Sequence, residues 1–322
     1  MTTVLLLLAG LTMLLVGGAS LVRGASGIAE AHGISPLVVG LTVVAFGTSA
    51  PELVVNVLGA IDGETDIAFG NIAGSNLANL GLVLGTAALI APIAIEGQII
   101  RRELPLLLLA TTALLIMTLD SQLKGFDPVL DRSDGLVLLL LFGIFVYIMI
   151  MDFFRQVEDP LLATIASMSP QLETKTSRAW MFILAGIFLL GLGGELAITH
   201  GVKLAGILNV STTIIGMAVI AIGTSLPEFV TSIIAAMRKE ADLCVGNVIG
   251  SNIFKILLGL PISSLVYPLS IPEHGTTDII ATLLFAAVLI PVFIMRRQIM
   301  SRTVGGVFLG AYLLYMYLRI TG

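Results

Sequence analysis

The chain has 322 residues, of which 57% are hydrophobic and 11% are charged, and its formal net charge is −5. An average soluble domain carries about 25% charged residues, so this composition excludes an ordinary soluble fold. The single cysteine, Cys244, excludes an internal disulfide framework and a metal centre built from several cysteines.

Apolar runs long enough to cross a hydrocarbon core of about 30 Å recur along the chain. The first run lacks the basic region and the small-residue cleavage site of a signal peptide, so it is expected to remain as a membrane helix. We therefore predict an all-α, multi-pass protein of the cell membrane with ten transmembrane helices. In chain order these span residues 3–22, 34–60, 67–91, 104–119, 135–152, 180–199, 210–237, 243–266, 277–295 and 303–319.

Lysine and arginine residues are distributed unequally between the alternate loops. Eleven lie in one set of loops, and four lie in the opposite set together with the C-terminus. Because basic residues are retained on the cytoplasmic side, this asymmetry predicts that both termini lie outside. The larger set comprises Arg23, Arg101, Arg102, Arg155, Lys175, Arg178, Arg238, Lys239, Arg296, Arg297 and Arg302, and the smaller comprises Lys124, Arg132, Lys203 and Arg319.

A pair of polar motifs occurs twice in the chain. The first motif is AFGTSAPELVVN at 45–56 and AIGTSLPEFVTS at 221–232, and the second is GNIAGSN at 70–76 and GNVIGSN at 246–252. Both pairs are offset by 176 positions, and the surrounding sequences agree at about a third of their positions. An internal repeat of this length indicates a duplicated architecture.

Each copy of the repeat contains five predicted helices. An odd number makes the second copy cross the membrane in the opposite direction, so the two halves are expected to be inverted repeats. Inverted repeats are typical of secondary transporters, whose binding sites lie near the midplane. A duplicated protein can also be a scaffold or a channel, but a scaffold does not need costly polar residues in both copies. We predict repeats at 1–152 and 180–322, joined by a cytoplasmic linker at 153–179.

Proline interrupts the second predicted helix of each repeat. Pro51 and Pro227 have no N–H to donate to the carbonyl groups four residues earlier, at Gly47 and Gly223. The pattern therefore predicts that both helices are broken in the middle of the membrane. Free backbone carbonyls at this depth are tolerated only where they are buried or line a cavity.

A glutamate follows each of these prolines, at Glu52 and Glu228. A carboxylate inside a membrane costs at least about 2.5 kcal/mol and commonly marks an ion pathway. The two glutamates are related by the repeat and are expected to face each other. Two carboxylates close together in a dry site stay ionised only if a cation lies between them. Carboxylate, carbonyl and hydroxyl oxygens together suit a hard ion such as Ca²⁺.

The GNxxGSN segments are expected to form the other wall of this site. Their glycines allow helices to approach closely, and their serines and asparagines supply neutral oxygens. The three histidines lie at the ends of predicted helices, so imidazole ligands for softer metals are not expected. The neutral oxygens belong to Ser75, Ser251, Asn71, Asn76, Asn247 and Asn252, and the histidines are His32, His200 and His274.

GTSAPE with GNIAGSN, and GTSLPE with GNVIGSN, resemble the paired alpha-repeats of the sodium/calcium exchanger family, within the calcium/cation antiporter superfamily. The resemblance covers essentially the whole chain. It implies a transporter, and no enzyme, that exchanges Ca²⁺ for Na⁺ by alternating access without a cofactor. We expect it to function as a monomer in the lipid bilayer, with cations and no nucleic acid as partners. The large cytoplasmic calcium-sensing loop of animal members is missing, so regulation of that kind is not expected.

The same resemblance implies two sets of ligands. Calcium ligands correspond to Thr48, Glu52, Thr224 and Glu228. Sodium ligands correspond to Ala45, Ser49, Ser75, Ala221, Ser225 and Ser251, and Asn79 joins them at a position where the family has Asn or Asp.

Lys255 departs from the family pattern, because it occupies the position in the second repeat that corresponds to Asn79 in the first. It lies about eleven residues from either end of its predicted helix, or roughly 17 Å along the axis. A lysine side chain reaches only about 6 Å, so it cannot extend to water. One interpretation is an interior salt bridge to Glu52 or Glu228 that lowers activity. The other is a tethered cation that replaces a sodium ion, so that fewer sodium ions, or protons, are coupled.

Three other functions compete with sodium/calcium exchange. The first is a proton-driven carrier for Ca²⁺ or another divalent cation, which the sequence does not separate from it. The second is an intramembrane hydrolase, suggested by GASG at 24–27 and the paired acids, but no histidine lies at membrane depth to activate a serine. The third is a passive cation channel, which predicts currents without counter-transport.

Overall fold

The computed structural model describes residues 2–94, 97, 99–120, 125, 128–157, 176–207, 223–295 and 299–321. This part of the chain is nearly all helical and contains ten helices of 12 residues or more. They are α1 Thr2–His32, α2 Pro36–Ile61, α3 Thr65–Ile90, α4 Leu104–Met117, α5 Arg132–Val157, α6 Thr176–Ile207, α7 Leu226–Met237, α8 Ala241–Val266, α9 Gly275–Met295 and α10 Arg302–Thr321.

Seven of the described helices are long and apolar enough to cross a membrane, namely α1, α2, α3, α5, α6, α8 and α9. Most helices lie close to their predicted limits, but α1 continues to His32, ten residues beyond its predicted end at residue 22. Helices α5 and α6 also extend into both ends of the predicted linker, of which residues 158–175 lie outside the described residues. The first part of the span predicted at 210–237, up to residue 222, lies outside them as well.

Helices α3 and α8 form the centre of the protein. In their most apolar windows 83% and 89% of the residues are buried, compared with 28% for α1 and 22% for α5. The outer helices instead expose large apolar side chains such as Leu140 and Phe188. Lipid tails are as apolar as leucine, so such faces are stable against a bilayer without a protein partner. The polar motifs on α3 and α8 are therefore in the part of the molecule that is most protected from the surroundings.

Helices α1 and α6 pack along a seam of glycines spaced seven residues apart. A Cβ atom at Gly17 would lie 2.9 Å from the backbone nitrogen of Leu190, and one at Gly186 would lie 2.7 Å from that of Leu21. Gly10 contacts Gly193 in the same way, so the two helices run antiparallel. Close backbone approach at small residues is a common way for membrane helices to associate, because it increases van der Waals contact.

The predicted break at Pro51 is wrong, because α2 continues through this proline from Ala45 to Ile61. The irregular part of α2 is instead a π-helical turn at Gly40–Val44. A proline removes one backbone hydrogen bond, and membrane helices tolerate this loss where neighbouring helices or local π-helical adjustments compensate for it.

The interruption predicted at Pro227 is present. Helix α7 begins at Leu226, directly after a turn at Thr224 and Ser225, so that Pro227 occupies the first turn of the helix. Proline is tolerated there because the N–H groups of the first turn have no partner within the helix. The two glutamate-bearing helices therefore differ locally, although their sequences are similar.

Two short β-ladders connect the two halves of the chain. Strand β1 (Ile93–Ala94) pairs antiparallel with β4 (Ile299–Met300), and β2 (Val129–Leu130) pairs antiparallel with β3 (Leu269–Ser270). In the first ladder, β1 follows α3 and β4 precedes α10. In the second, β3 follows α8 and β2 precedes α5. Strands β1 and β3 are offset by 176 positions, which is also the offset of the sequence motifs.

Candidate ion-binding site

Lys255 lies between Glu52 and Glu228. Its Nζ atom is 2.5 Å from Oε2 of Glu52 and 3.2 Å from Oε1 of Glu228. All three side chains are at least 97% buried. The two distances limit the separation of these carboxylate oxygens to 5.7 Å. The structure therefore brings both glutamates, one from each half of the chain, to a single cationic group.

The arrangement carries one net negative charge when all three groups are ionised. Two buried carboxylates without a cation would repel each other and lose the solvation that water provides, so the ammonium group stabilises both. Removal of one partner from a buried ion pair costs about 3–5 kcal/mol, because the remaining charge stays buried. The two ion pairs therefore hold the ammonium group of Lys255 between the glutamates.

The helix turn that carries Lys255 is fixed by aromatic packing. The ring of Phe254 lies 5.6 Å from that of Phe46, 5.4 Å from that of Phe142 and 5.9 Å from that of Phe145, measured between centroids. Phe46 lies on α2, and the other two rings lie on α5. Aromatic pairs at these separations stabilise beyond the area that they bury. The next residue is Lys255, which begins a π-helical turn at Lys255–Gly259.

The threonine before each glutamate binds an asparagine from the other half. In the first half, Thr48 donates to Oδ1 of Asn247 at 3.1 Å. Thr224, at the equivalent position in the second half, donates to Oδ1 of Asn71 at 2.9 Å. Both asparagines lie in the GNxxGSN segments. The two threonine hydroxyls are therefore oriented by the same contact in both halves.

Each of these asparagines also orients a second polar side chain. Nδ2 of Asn71 donates to Oδ1 of Asn56 at 2.8 Å, and Nδ2 of Asn247 donates to Oγ of Ser232 at 2.9 Å. Asn56 and Ser232 follow the two glutamates by four residues, which places them on the same helix face. Our ligand sets did not include this pair. Its signal in the sequence was the shared offset of 176 positions together with the spacing of four residues from each glutamate.

The serine before each proline behaves differently in the two halves. Ser49 donates to Oε1 of Glu228 at 2.9 Å, and so connects the first half to the glutamate of the second. Ser225 is buried, but its Oγ atom has no hydrogen-bond partner within the described residues. One oxygen of Glu228, Oε2, is likewise without a hydrogen-bond partner there. Both oxygens are therefore without a hydrogen-bond partner in the described part of the chain and have lone pairs available to a cation.

Two other serines of the implied sodium set, Ser75 and Ser251, have polar neighbours within the protein. Ser75 donates to the carbonyl of Ile72 at 3.2 Å, one turn earlier on its own helix. Ser251 lies 3.5 Å from both the hydroxyl of Thr48 and the carbonyl of Ala45. Ala221 lies outside the described residues.

A cavity of about 20 Å³ adjoins the ion pair. Its lining includes Glu52, Lys255 and Asn56, together with Phe46 and Phe254. A cavity of this size has room for about one water molecule or one small ion. The site therefore combines carboxylate, hydroxyl and amide oxygens with a small space beside the ammonium group.

The donor atoms of the site are of the kind that bind a hard cation. In the part of the chain that the structure describes, no group of three or more His, Cys, Asp or Glu side chains forms a metal centre. The available donors are oxygens from two glutamates, threonines, serines and asparagines. Carboxylate and neutral oxygen donors suit Ca²⁺ and other hard cations.

Comparison with known proteins identifies the family. The family model described as "Sodium/calcium exchanger protein" matches residues 2–151 and 178–321. CaxA of Alkalimonas amylolytica is 36% identical over an alignment of 317 positions that covers 97% of this chain and 96% of that protein. Sodium/calcium exchanger MaX1 of Methanosarcina acetivorans is 28% identical over an alignment of 338 positions, including gaps, that covers 97% of each chain.

A solved structure has the same fold. The sodium-calcium exchanger NCX_Mj, soaked with 10 mM Na⁺ and zero Ca²⁺, matches this chain with a TM-score of 0.82 and 28% identity, over 98% of both chains. Its similarity extends across all the described helices and is not confined to the motif pair. The chain belongs to the sodium/calcium exchanger family.

Proposed function

We propose that this protein is a secondary active antiporter that exchanges Ca²⁺ for Na⁺ by alternating access, with its ions bound around Glu52 and Glu228. Family membership and the NCX_Mj-like fold support a membrane cation antiporter. The observation that supports the site is the position of the two glutamates. They come from different halves and converge on one cationic group in the buried centre of the protein.

The ligands follow from the contacts around this pair. Thr48 and Thr224 complete the calcium site with the two glutamates, since each hydroxyl is oriented by an asparagine of the opposite half. Sodium uses the remaining oxygens when calcium has left. These belong to Ala45, Ser49, Ser75, Asn79, Ala221, Ser225 and Ser251.

The contacts between the halves support ten transmembrane helices in two inverted five-helix repeats. Helices α1 and α6 begin the two repeats and run antiparallel along their glycine seam. The two β-ladders connect the halves reciprocally, and the threonine–asparagine bonds are exchanged between them. In transporters with inverted repeats the shared site lies near the membrane midplane, where it can be exposed first to one side of the membrane and then to the other.

Neutralisation of either glutamate is expected to abolish calcium uptake. Glu52→Gln and Glu228→Gln keep the shape of the side chain but remove one of the two charges that a divalent cation needs. Uptake of radiolabelled Ca²⁺ into sodium-loaded proteoliposomes should fall at least ~100-fold in both variants, because an uncompensated buried charge costs several kcal/mol. Glu195→Gln is the matched control, since Glu195 lies exposed on α6 and makes no contact with the site. Normal uptake by either variant of the pair would contradict the proposal.

A proton-coupled exchanger for Ca²⁺ or another divalent cation is the second candidate. The observation that favours it is the ammonium of Lys255, which already stands between the glutamates where the first candidate places a metal ion. In this candidate the lysine stands in for a sodium ion, so that coupling requires no sodium.

Ion gradients separate the two candidates. For sodium coupling, Ca²⁺ uptake by the wild type follows an imposed Na⁺ gradient and not a pH gradient. Ca²⁺ uptake by Lys255→Asn should then depend more steeply on the Na⁺ concentration than uptake by the wild type, because an added sodium ion must replace the lost positive charge. Uptake that follows only the pH gradient selects the proton-coupled exchanger. Identical sodium dependence in the wild type and Lys255→Asn would show that the lysine does not replace a sodium ion.

The orientation of the repeats is tested by two equivalent loop residues. Asp62 follows α2 and Arg238 follows α7, and they are offset by the 176 positions of the repeat. With both termini outside, a membrane-impermeant maleimide applied to intact cells should label Asp62→Cys, but should label Arg238→Cys only after permeabilisation. Both substitutions are made in Cys244→Ser, because Cys244 is buried and is the sole native cysteine. Labelling from the same side at both positions would contradict inversion.

A further inference from the structure

The side chain of Asn76 is buried without a polar partner. It is fully buried on α3, and neither Nδ2 nor Oδ1 has a hydrogen-bond partner within the described residues. An unsatisfied polar group in a protein interior is costly, and native structures retain few of them. The equivalent residue of the other half, Asn252, uses both atoms. It accepts from Nδ2 of Asn79 at 2.9 Å and donates to the carbonyl of Asn76 at 3.0 Å.

The difference coincides with a polar substitution that breaks the repeat at this point. Asn79 lies opposite Asn252 and satisfies its Oδ1 atom. The residue equivalent to Asn79 is Lys255, and Asn76 is the equivalent of Asn252. In a symmetric structure Lys255 would therefore donate to Oδ1 of Asn76. It binds the two glutamates instead, and Oδ1 of Asn76 is left without a donor.

We propose that Lys255 has two positions, one between Glu52 and Glu228 and one at the amide oxygen of Asn76, and that an incoming cation moves it from the first to the second. This rests on the proposed function and assigns a role to a residue outside both implied ligand sets. Lys255 is then an internal competitor of the transported ion, and Asn76 is the group that receives its ammonium. The lysine stays charged in both positions.

Asn76 fits this role in reach and in chemistry. From the equivalent position of the first half, the short side chain of Asn79 contacts Asn252 at 2.9 Å. Since the repeat relates that pair to Lys255 and Asn76, we infer that the longer side chain of Lys255 spans the equivalent separation. An ammonium group has three donors and needs acceptors such as amide oxygens. Oδ1 of Asn79 is also without a partner in the described structure and lies three residues further along α3, on the same face.

The other direction open to the lysine offers poorer acceptors. The cavity beside it is lined largely by apolar side chains, including Leu53, Ile72 and Leu258. Its neutral polar residues each already make one hydrogen bond, because Asn56 accepts from Asn71 and Ser49 donates to Glu228. An ammonium group in this space would therefore share its neutral acceptors with other groups, whereas Oδ1 of Asn76 has no donor within the described residues.

Competition by the lysine sets the apparent affinity for Ca²⁺. When a site is free for only a fraction of the time, the apparent Kd equals the intrinsic Kd divided by that fraction. Asn76 increases the free fraction by stabilising the displaced ammonium. Lys255→Met should therefore bind Ca²⁺ at least ~10-fold more tightly than the wild type, and Asn76→Leu should bind it ~3- to 10-fold more weakly.

A double-mutant cycle tests the proposal directly. Binding of radiolabelled Ca²⁺ is measured at constant Na⁺ with the full-length protein in detergent, for wild type, Asn76→Leu, Lys255→Met and the double variant. Without an ammonium to receive, Asn76→Leu should change the affinity of Lys255→Met by less than ~2-fold, because a side chain couples only to groups that it contacts. The matched control is Asn252→Leu, whose effect should be equal in both backgrounds. Thermal unfolding of each variant identifies those that do not fold.

The possible results are distinct. An effect of Asn76→Leu that is equal in both backgrounds, or absent from the wild type, overturns the two-position lysine, and so does a Lys255→Met protein that binds no more tightly. These results leave the proposed exchanger intact as long as the wild type binds Ca²⁺. If folded wild type and folded Lys255→Met both fail to bind Ca²⁺, the proposed function fails and this inference falls with it.

Discussion

The burial of two carboxylates beside each other is the constraint on which the rest of the structure depends. Glu52 and Glu228 lie in the most protected part of a membrane protein, where neither can recover the solvation that it would have in water. They remain charged only next to a cation. In this chain the cation is part of the protein, because Lys255 pairs with both glutamates. In the proposed mechanism a transported ion therefore replaces a tethered charge and does not enter an unfilled site.

The two halves are similar around the site, so Lys255, at the position equivalent to Asn79, is recognisable as a departure from the repeat. The threonine–asparagine contacts, the central helices and strands β1 and β3 recur at the same offset of 176 positions, so a difference between the halves at the site points to a local cause. Lys255 in place of a second asparagine is such a cause. It neutralises one unit of charge at the glutamates and leaves Oδ1 of Asn76 without a donor. In the proposed mechanism this oxygen gains a donor when the lysine moves.

Sequence reasoning identified the family and the convergence of the glutamates because the repeat relates them directly. It placed α3 and α8 within two residues, since their apolar runs end in polar residues. It ended α1 too early, because hydropathy falls at Arg23 although the helix continues on packing contacts. It also broke α2 at Pro51, although the helix continues through this proline. A salt bridge from Lys255 to Glu52 or Glu228 was one of its two interpretations, and this contact is present. That Lys255 contacts both glutamates at once depends on how α8 packs against α2 and α7, which no local pattern in the sequence encodes.

Anomalous diffraction from crystals of the full-length protein soaked in Sr²⁺ tests the central claim most directly, because strontium is a heavier analogue of calcium with the same preference for oxygen ligands. The account predicts an anomalous peak within about 2.6 Å of carboxylate oxygens from both Glu52 and Glu228. It also predicts that Nζ of Lys255 has left both glutamates in the same crystals. A strontium ion bound elsewhere, with Lys255 still paired to Glu52 and Glu228, would contradict it.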